Sequence, residues 1–173
     1  MKKIAILGCG GSGKSTLARQ LSDRLELDVI HLDQLFWSAG WVMADKEEQK
    51  KIHQQLDSKD NWIIDGNYSS TWDQRLAAAD AVIFLDFSRY ICIYRIFKRS
   101  LKYRKQTRPD MAEGCEERLD FDFLKWIWNY NKTNRPGTLA TIKSLPTDKR
   151  VIVLKNPREV EQFLAGLSHN RLV

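Results

Sequence analysis

Gly8-Cys9-Gly10-Gly11-Ser12-Gly13-Lys14-Ser15 satisfies the pattern GxxxxGK[ST] at every required position. The spacing has a physical reading. Gly8, Gly10, Gly11 and Gly13 let the backbone wrap a phosphate, so that amides including that of Ser12 point inward where side chains would block approach. A helix opening near Gly13 adds its positive N-terminal end. Lys14 then reaches the outer phosphates, Ser15 is placed to hold Mg²⁺, and Thr16 lies near the innermost phosphate. The context agrees, because Lys3 to Leu7 reads as a short buried strand and Lys14 to Leu25 as a helix with Leu17, Leu21 and Leu25 on one face. A strand, a glycine loop and an amphipathic helix in that order predict a nucleotide-binding α/β domain.

Outward from this loop, apolar runs alternate with helical patterns, the signature of a parallel sheet covered by helices. Strands are expected over 28–32, 62–65, 81–87 and 150–155. A helix is expected over 45–56, opened by an Asp45/Glu48 capping box, and another begins at Pro157. More than 60 residues separate the fourth and fifth strands. They read as a helix over roughly 89–103, a polar hinge around 106–114 and further helices. The chain of 173 residues suits one domain, with a lid insertion over about 89–118.

Charge points to the same insertion. The net charge is +6, from 28 Lys and Arg against 22 Asp and Glu. Arg89, Arg95, Lys98, Arg99, Lys102, Arg104, Lys105 and Arg108 fall within 20 residues that contain no acid, and the remainder is slightly acidic. Such focusing marks a place where polyanions are handled, either nucleotide phosphates or a nucleic-acid backbone. No run approaches the ~18 apolar residues of a membrane span, and glycines interrupt the first strand too early for a signal peptide. Cys9, Cys92 and Cys115 lack metal-ligand spacing and read as reduced thiols of a cytoplasmic protein. Cys9 lies where inward amides favour a thiolate. His31, His53 and His169 show no ligand spacing and are assigned no role.

A GTPase reading fails, since Asn131-Lys132-Thr133-Asn134 lacks the base-reading aspartate. Trp62-Ile63-Ile64-Asp65-Gly66 instead resembles the strand and Asp-Gly of adenylate kinases and related nucleoside monophosphate kinases. Arg104, Arg108 and Pro109 are similar to the lid arginine and Arg-Pro of shikimate-kinase-like enzymes. Four further segments resemble the FlaR-type DNA topology modulation proteins, an adenylate-kinase-related family. They are His31-Leu32-Asp33 with Phe36-Trp37, residues 66–71 (Gly-Asn-Tyr-Ser-Ser-Thr), residues 107–114 (Thr-Arg-Pro-Asp-Met-Ala-Glu-Gly) and residues 123–129 (Phe-Leu-Lys-Trp-Ile-Trp-Asn).

The resemblance implies a three-layer P-loop fold, a five-stranded parallel sheet of order 2-3-1-4-5 and a small helical, arginine-rich lid. It implies ATP and Mg²⁺ as cofactors. The implied activity is transfer of the γ-phosphoryl group to a small acceptor, either nucleotide-like or a hydroxyl metabolite. Asp65 is the expected Mg²⁺-assisting carboxylate, with Asp86 as its rival. Asp33 is placed to orient an acceptor hydroxyl, take its proton or support the metal. Arg99, Arg104 and Arg108, with Arg95 as a fourth candidate, are expected to meet the transferred group, while Lys98, Lys102 and Lys105 read as a solvated face. Trp37, Trp41, Tyr68 and Trp72 flank the acceptor side. The nucleotide-kinase pattern has a phosphate-gripping Arg where this chain has Ser69, and Arg75 is the residue left to supply a displaced contact. Two other classes stay open: a nucleic-acid-associated ATPase using the basic segment, and a nucleotide-responsive regulator without turnover.

Overall fold

Strand β1 (Lys3–Gly8) sets the three layers. Its residues alternate between two cores, because successive strand side chains point to opposite faces. Ile4 and Ile6 pack into one core with Leu17, Leu21, Ile63, Ile83 and Cys92. Ala5 and Leu7 pack into the other with Phe36, Trp62, Ile64, Leu76 and Phe84. Each fully buried aliphatic side chain contributes about 1.5–3 kcal/mol. A central strand covered on both faces therefore anchors the molecule.

The computed structural model describes residues 1–169, apart from the side chains of residues 57, 168 and 169. After β1 come α1 (Lys14–Leu25), β2 (Val29–His31), α2 (Leu32–Phe36), β3 (Trp37–Ser38), β4 (Val42–Met43) and α3 (Lys46–Asp57). Next are β5 (Trp62–Asp65), α4 (Trp72–Ala78), β6 (Ala81–Leu85) and α5 (Arg89–Lys102). The described residues continue through α6 (Phe121–Thr133), α7 (Arg135–Lys143), β7 (Arg150–Leu154) and α8 (Pro157–His169). The main sheet runs β2-β5-β1-β6-β7 and every pairing in it is parallel. Counted along the chain, its five strands have the order 2-3-1-4-5, as expected. Register brings Ile6 opposite Asp65 and Asp65 opposite His31, so these groups stand at one level of the carboxyl edge where open α/β sheets bind ligands.

Local rules account for most boundaries. Asp45 caps α3 by accepting from the amides of Glu47 and Glu48, each at 2.9 Å. Asp120 caps α6 through the amide of Phe123 at 3.0 Å. Two departures from the expected elements bear on the site. The second strand stops at His31, and Leu32 and Phe36, one turn apart and both buried, start a short helix instead. Asp33 thereby lies in the first turn of α2, where the helix dipole favours a carboxylate. The second departure is the antiparallel hairpin β3–β4, in which Trp37 pairs with Met43 around Gly40 and Trp41. Strands of two residues carry no readable periodicity.

Between α5 and α6 the chain runs without helix, tied internally by bridges of Arg104 and Thr107 to Glu117 and Glu116. The hairpin fastens onto this segment. Gly40 donates its amide to Gly114 at 3.0 Å, the Trp41 indole donates to the Glu116 carbonyl at 3.0 Å, and the Cys115 thiol donates to Ser38 at 3.1 Å. No helix among the described residues is long and apolar enough to cross a membrane.

Candidate active site

The glycine loop joins β1 to α1 with Gly11 at φ +77° and Gly13 at φ +98°, conformations that side chains resist. Packing adds a demand that the motif alone does not reveal. A Cβ on Gly11 would stand 2.4 Å from the Cys92 carbonyl oxygen, and one on Gly10 would stand 2.4 Å from the Phe123 ring. Helices α5 and α6 therefore roof the loop, and glycine is required by protein contact as well as by ligand approach.

Lys14 donates to the carbonyls of Gly8 and Cys9 at 3.0 Å each, which holds its ammonium against the loop. The Ser15 hydroxyl donates to Asp65 at 2.8 Å. This joins the end of the loop to the end of β5. Hydroxyl and carboxylate oxygens are the hard donors that Mg²⁺ prefers, so the two residues fit the expected ion. Asp86 stands elsewhere, engaged by Arg135 through two bonds of 2.6 and 2.7 Å. His31 contacts the other Asp65 oxygen at 2.5 Å. Burial opposes its protonation, but the Asp65 carboxylate outweighs burial and raises the His31 pKa above its ordinary value.

One cavity of about 800 Å³ runs from the glycine loop past Ser15 and Asp65 to Asp33, Trp37, Trp41 and Tyr68. On the loop side, Arg95 donates to the Ser12 carbonyl at 2.7 Å. Arg99 and Arg108 share the buried Glu117, at 3.1 and 2.8 Å, and Arg108 also pairs with Asp110 at 2.9 Å. Burial opposes ionising Asp110, but the Arg108 guanidinium prevails and holds its carboxyl below the usual range. On the far side, Trp37 donates its indole N–H to the Tyr68 hydroxyl at 2.8 Å, and that hydroxyl donates to Asp33 at 2.6 Å. Burial and then Asp33 push the Tyr68 phenol upward, so it remains a donor.

The structure gathers Gly10 to Thr16, Asp33, Asp65, Trp37, Tyr68, Arg99 and Arg108 along this cavity. Gly8 is not part of the lining and takes part through its carbonyl, which accepts from Lys14. Other expected positions fall elsewhere. Arg104 is exposed outside the cavity lining. Arg75 is fully buried in the protein interior, with none of its guanidinium nitrogens hydrogen-bonded, and burial lowers its pKa to about 10. Trp72 does not line the cavity, whereas Lys98 and Lys102 do. Cys9 corrects the thiolate expectation. It is buried against Cys92, and contact with that thiol, then burial, push its pKa up. The acids Asp110 and Glu117 went unread because no local pattern says that an arginine will fold back onto them.

A family model described as an AAA domain matches residues 4–118, from β1 through the segment after α5. The chain belongs to this AAA-domain family. Among curated relatives, this AAA-domain chain is 27% identical over 132 residues to YqaC, an uncharacterized protein of Bacillus subtilis (strain 168), covering 75% of this chain and 73% of that one. It is also 27% identical over 123 residues to a protein of Thermococcus onnurineus (strain NA1) provisionally named an adenylate kinase. That match covers 67% of this chain and 63% of the relative, less than two thirds of its length. In architecture it is similar to a shikimate kinase from Acinetobacter baumannii, with a TM-score of 0.64 at 12% identity over 99% of this chain and 93% of that one. The shared property is the P-loop kinase fold.

Proposed function

We propose that the protein is an ATP-dependent phosphotransferase acting on a hydroxyl group of a small molecule. The observation that carries this reading is the single cavity that holds the glycine loop at one end and the Tyr68-supported Asp33 at the other. Lys14 and the loop amides bind and orient the triphosphate. Ser15 and Asp65 would hold Mg²⁺, which when bound neutralises charge on the outer phosphates. Tyr68 occupies Oδ1 of Asp33, and no hydrogen bond engages Oδ2 among the described residues. That oxygen is free to accept the proton of an acceptor hydroxyl. The hydroxyl oxygen attacks the γ-phosphorus, the bond to the bridging oxygen breaks, ADP leaves, and the proton passes from Asp33 to solvent. Arg95, Arg99 and Arg108 line the path and neutralise the transferred group by position and charge.

The resemblance to FlaR-type proteins carries a DNA-linked alternative through the basic segment. Arg95, Lys98, Arg99, Lys102 and Arg108 line the cavity, which favours phosphate handling within a cleft. The deciding experiment screens nucleosides, nucleotides and small hydroxyl compounds for ADP formation above the no-acceptor background. Turnover that disappears in Asp33→Asn with ATP binding retained supports phosphoryl transfer; background rates with every acceptor overturn it.

A further inference from the structure

The Asp33 end of the cavity joins one carboxylate to apolar ring faces. Asp65, Asp110 and Glu117 line the same cavity toward the glycine loop. There Arg108 pairs with Asp110 and Glu117, and Arg99 with Glu117. Glu117 is almost sealed, with a side chain 1% exposed, so these pairs sit where solvent screens little. Arg75 is fully buried and outside the cavity lining.

The two tryptophans complete the wall. Their ring centroids lie 5.5 Å apart at 75°, forming an edge-to-face corner. Both indole N–H groups are consumed within the protein, by the Tyr68 hydroxyl and by the Glu116 carbonyl. They therefore offer apolar surface without a donor for an anion. Arg118 stands at the rim over the Trp41 ring at 5.7 Å, its side chain 63% exposed, and Arg19 is exposed on α1. Charges in water are screened and hold an anion weakly.

We infer that the acceptor is an uncharged, ring-bearing hydroxyl compound, of the nucleoside or cyclic-sugar kind, and that phosphorylated and carboxylated acceptors are rejected. The inference rests on the phosphotransferase reading and narrows it. Its physical basis is local: among the described residues, an anion at the Asp33 end meets that carboxylate and two indole faces whose N–H groups are already used, whereas a neutral ring stacks on the tryptophans while its hydroxyl reaches Asp33. The new O–P bond forms at the neutral acceptor's hydroxyl as the bond to the bridging oxygen of ATP breaks, and the hydroxyl proton leaves through Asp33.

Matched pairs test the charge rule on the full chain with ATP and Mg²⁺: a panel of nucleosides against their 5′-monophosphates, and neutral hexoses against the corresponding aldonates. The neutral member should win by at least tenfold in kcat/KM, and the pair that shows this separates nucleoside from sugar. Equal or better use of the anionic members overturns the inference while leaving phosphoryl transfer standing. If every acceptor fails, the phosphotransferase reading falls. The charge rule is then read from equilibrium binding of the same pairs, where equal or tighter binding of the anions overturns it. Glu117→Gln, which removes the carboxylate that Arg99 and Arg108 share and leaves Arg108 with Asp110 alone, should shrink the neutral-to-anion ratio several-fold in a variant shown to be folded by circular dichroism. An unchanged ratio in that folded variant overturns the electrostatic cause.

Discussion

Lys14 and Tyr68 show how far single residues can be read. Lys14 was legible because its role follows from spacing along eight residues, and the structure holds its ammonium at the loop with two carbonyl bonds. Lys14→Ala should weaken ATP binding at least tenfold in calorimetry, since one charge-assisted hydrogen bond is worth about 1.5–3 kcal/mol. Its thermal midpoint should stay near that of the parent, because the half-buried side chain supports no core. Tyr68 depends on partners 31 and 35 residues away in Trp37 and Asp33. Tyr68→Phe leaves both without their bond. In the proposed reaction kcat should fall about tenfold or more while ATP affinity is unchanged, so a parallel loss of ATP binding would count against an acceptor-side role. Arg75 marks the limit of reading at this scale. Its charge suggested a ligand, and only packing shows that the side chain is buried.

Elements were legible in proportion to their length. The long helices and sheet strands announce themselves by period and caps, whereas β3 and β4 are too short to carry a pattern. Asp80 ties the start of the sheet together, accepting from the amides of Lys2 at 2.6 Å and Lys3 at 3.0 Å. Those bonds lower its pKa below 3.8, against a small opposing effect of burial. A lowered carboxylate pKa adds stability above the unfolded value and loses it as pH falls through the folded one. Asp80→Ala should therefore cost about 1 kcal/mol near neutrality, allowing for its exposure. The difference from the parent in denaturant melts should vanish as the pH drops below 3.8. At the hairpin, Gly114 has φ +79° and a Cβ there would stand 2.6 Å from that of Ala39. Gly114→Ala should loosen the clasp, at a cost of about 1–2 kcal/mol. Hydrogen exchange at the Gly40 amide should then speed roughly tenfold, a ratio that follows from such a cost. Exchange within β1 should hold steady, and equal acceleration there would mean global destabilisation instead.

For the whole molecule, the focused positive charge is the feature whose meaning changed with the third dimension. If its cations serve the cavity, ATP binding should vary modestly with salt, and DNA binding should lack the steep dependence of about 0.9 in log–log slope per phosphate neutralised. A steep slope with DNA, undisturbed by saturating ATP, would assign the segment to nucleic acid. By itself the sequence determined the phosphate loop, the alternation of strands and helices and, through resemblance, the strand order. These follow from local rules: glycine's conformational freedom, side-chain period and helix capping act between neighbours in the chain. Tertiary structure alone decided which arginines reach the cavity, that Asp110 and Glu117 hold two of them, that Arg75 is sealed away and that Trp37 orients Tyr68 toward Asp33. The contacts that build the cavity join residues 31, 35 and 50 positions apart, and Arg108 reaches Glu117 across a non-helical segment. No local pattern encodes such contacts, because they are set by how α5, the β3–β4 hairpin and the segment between α5 and α6 pack together.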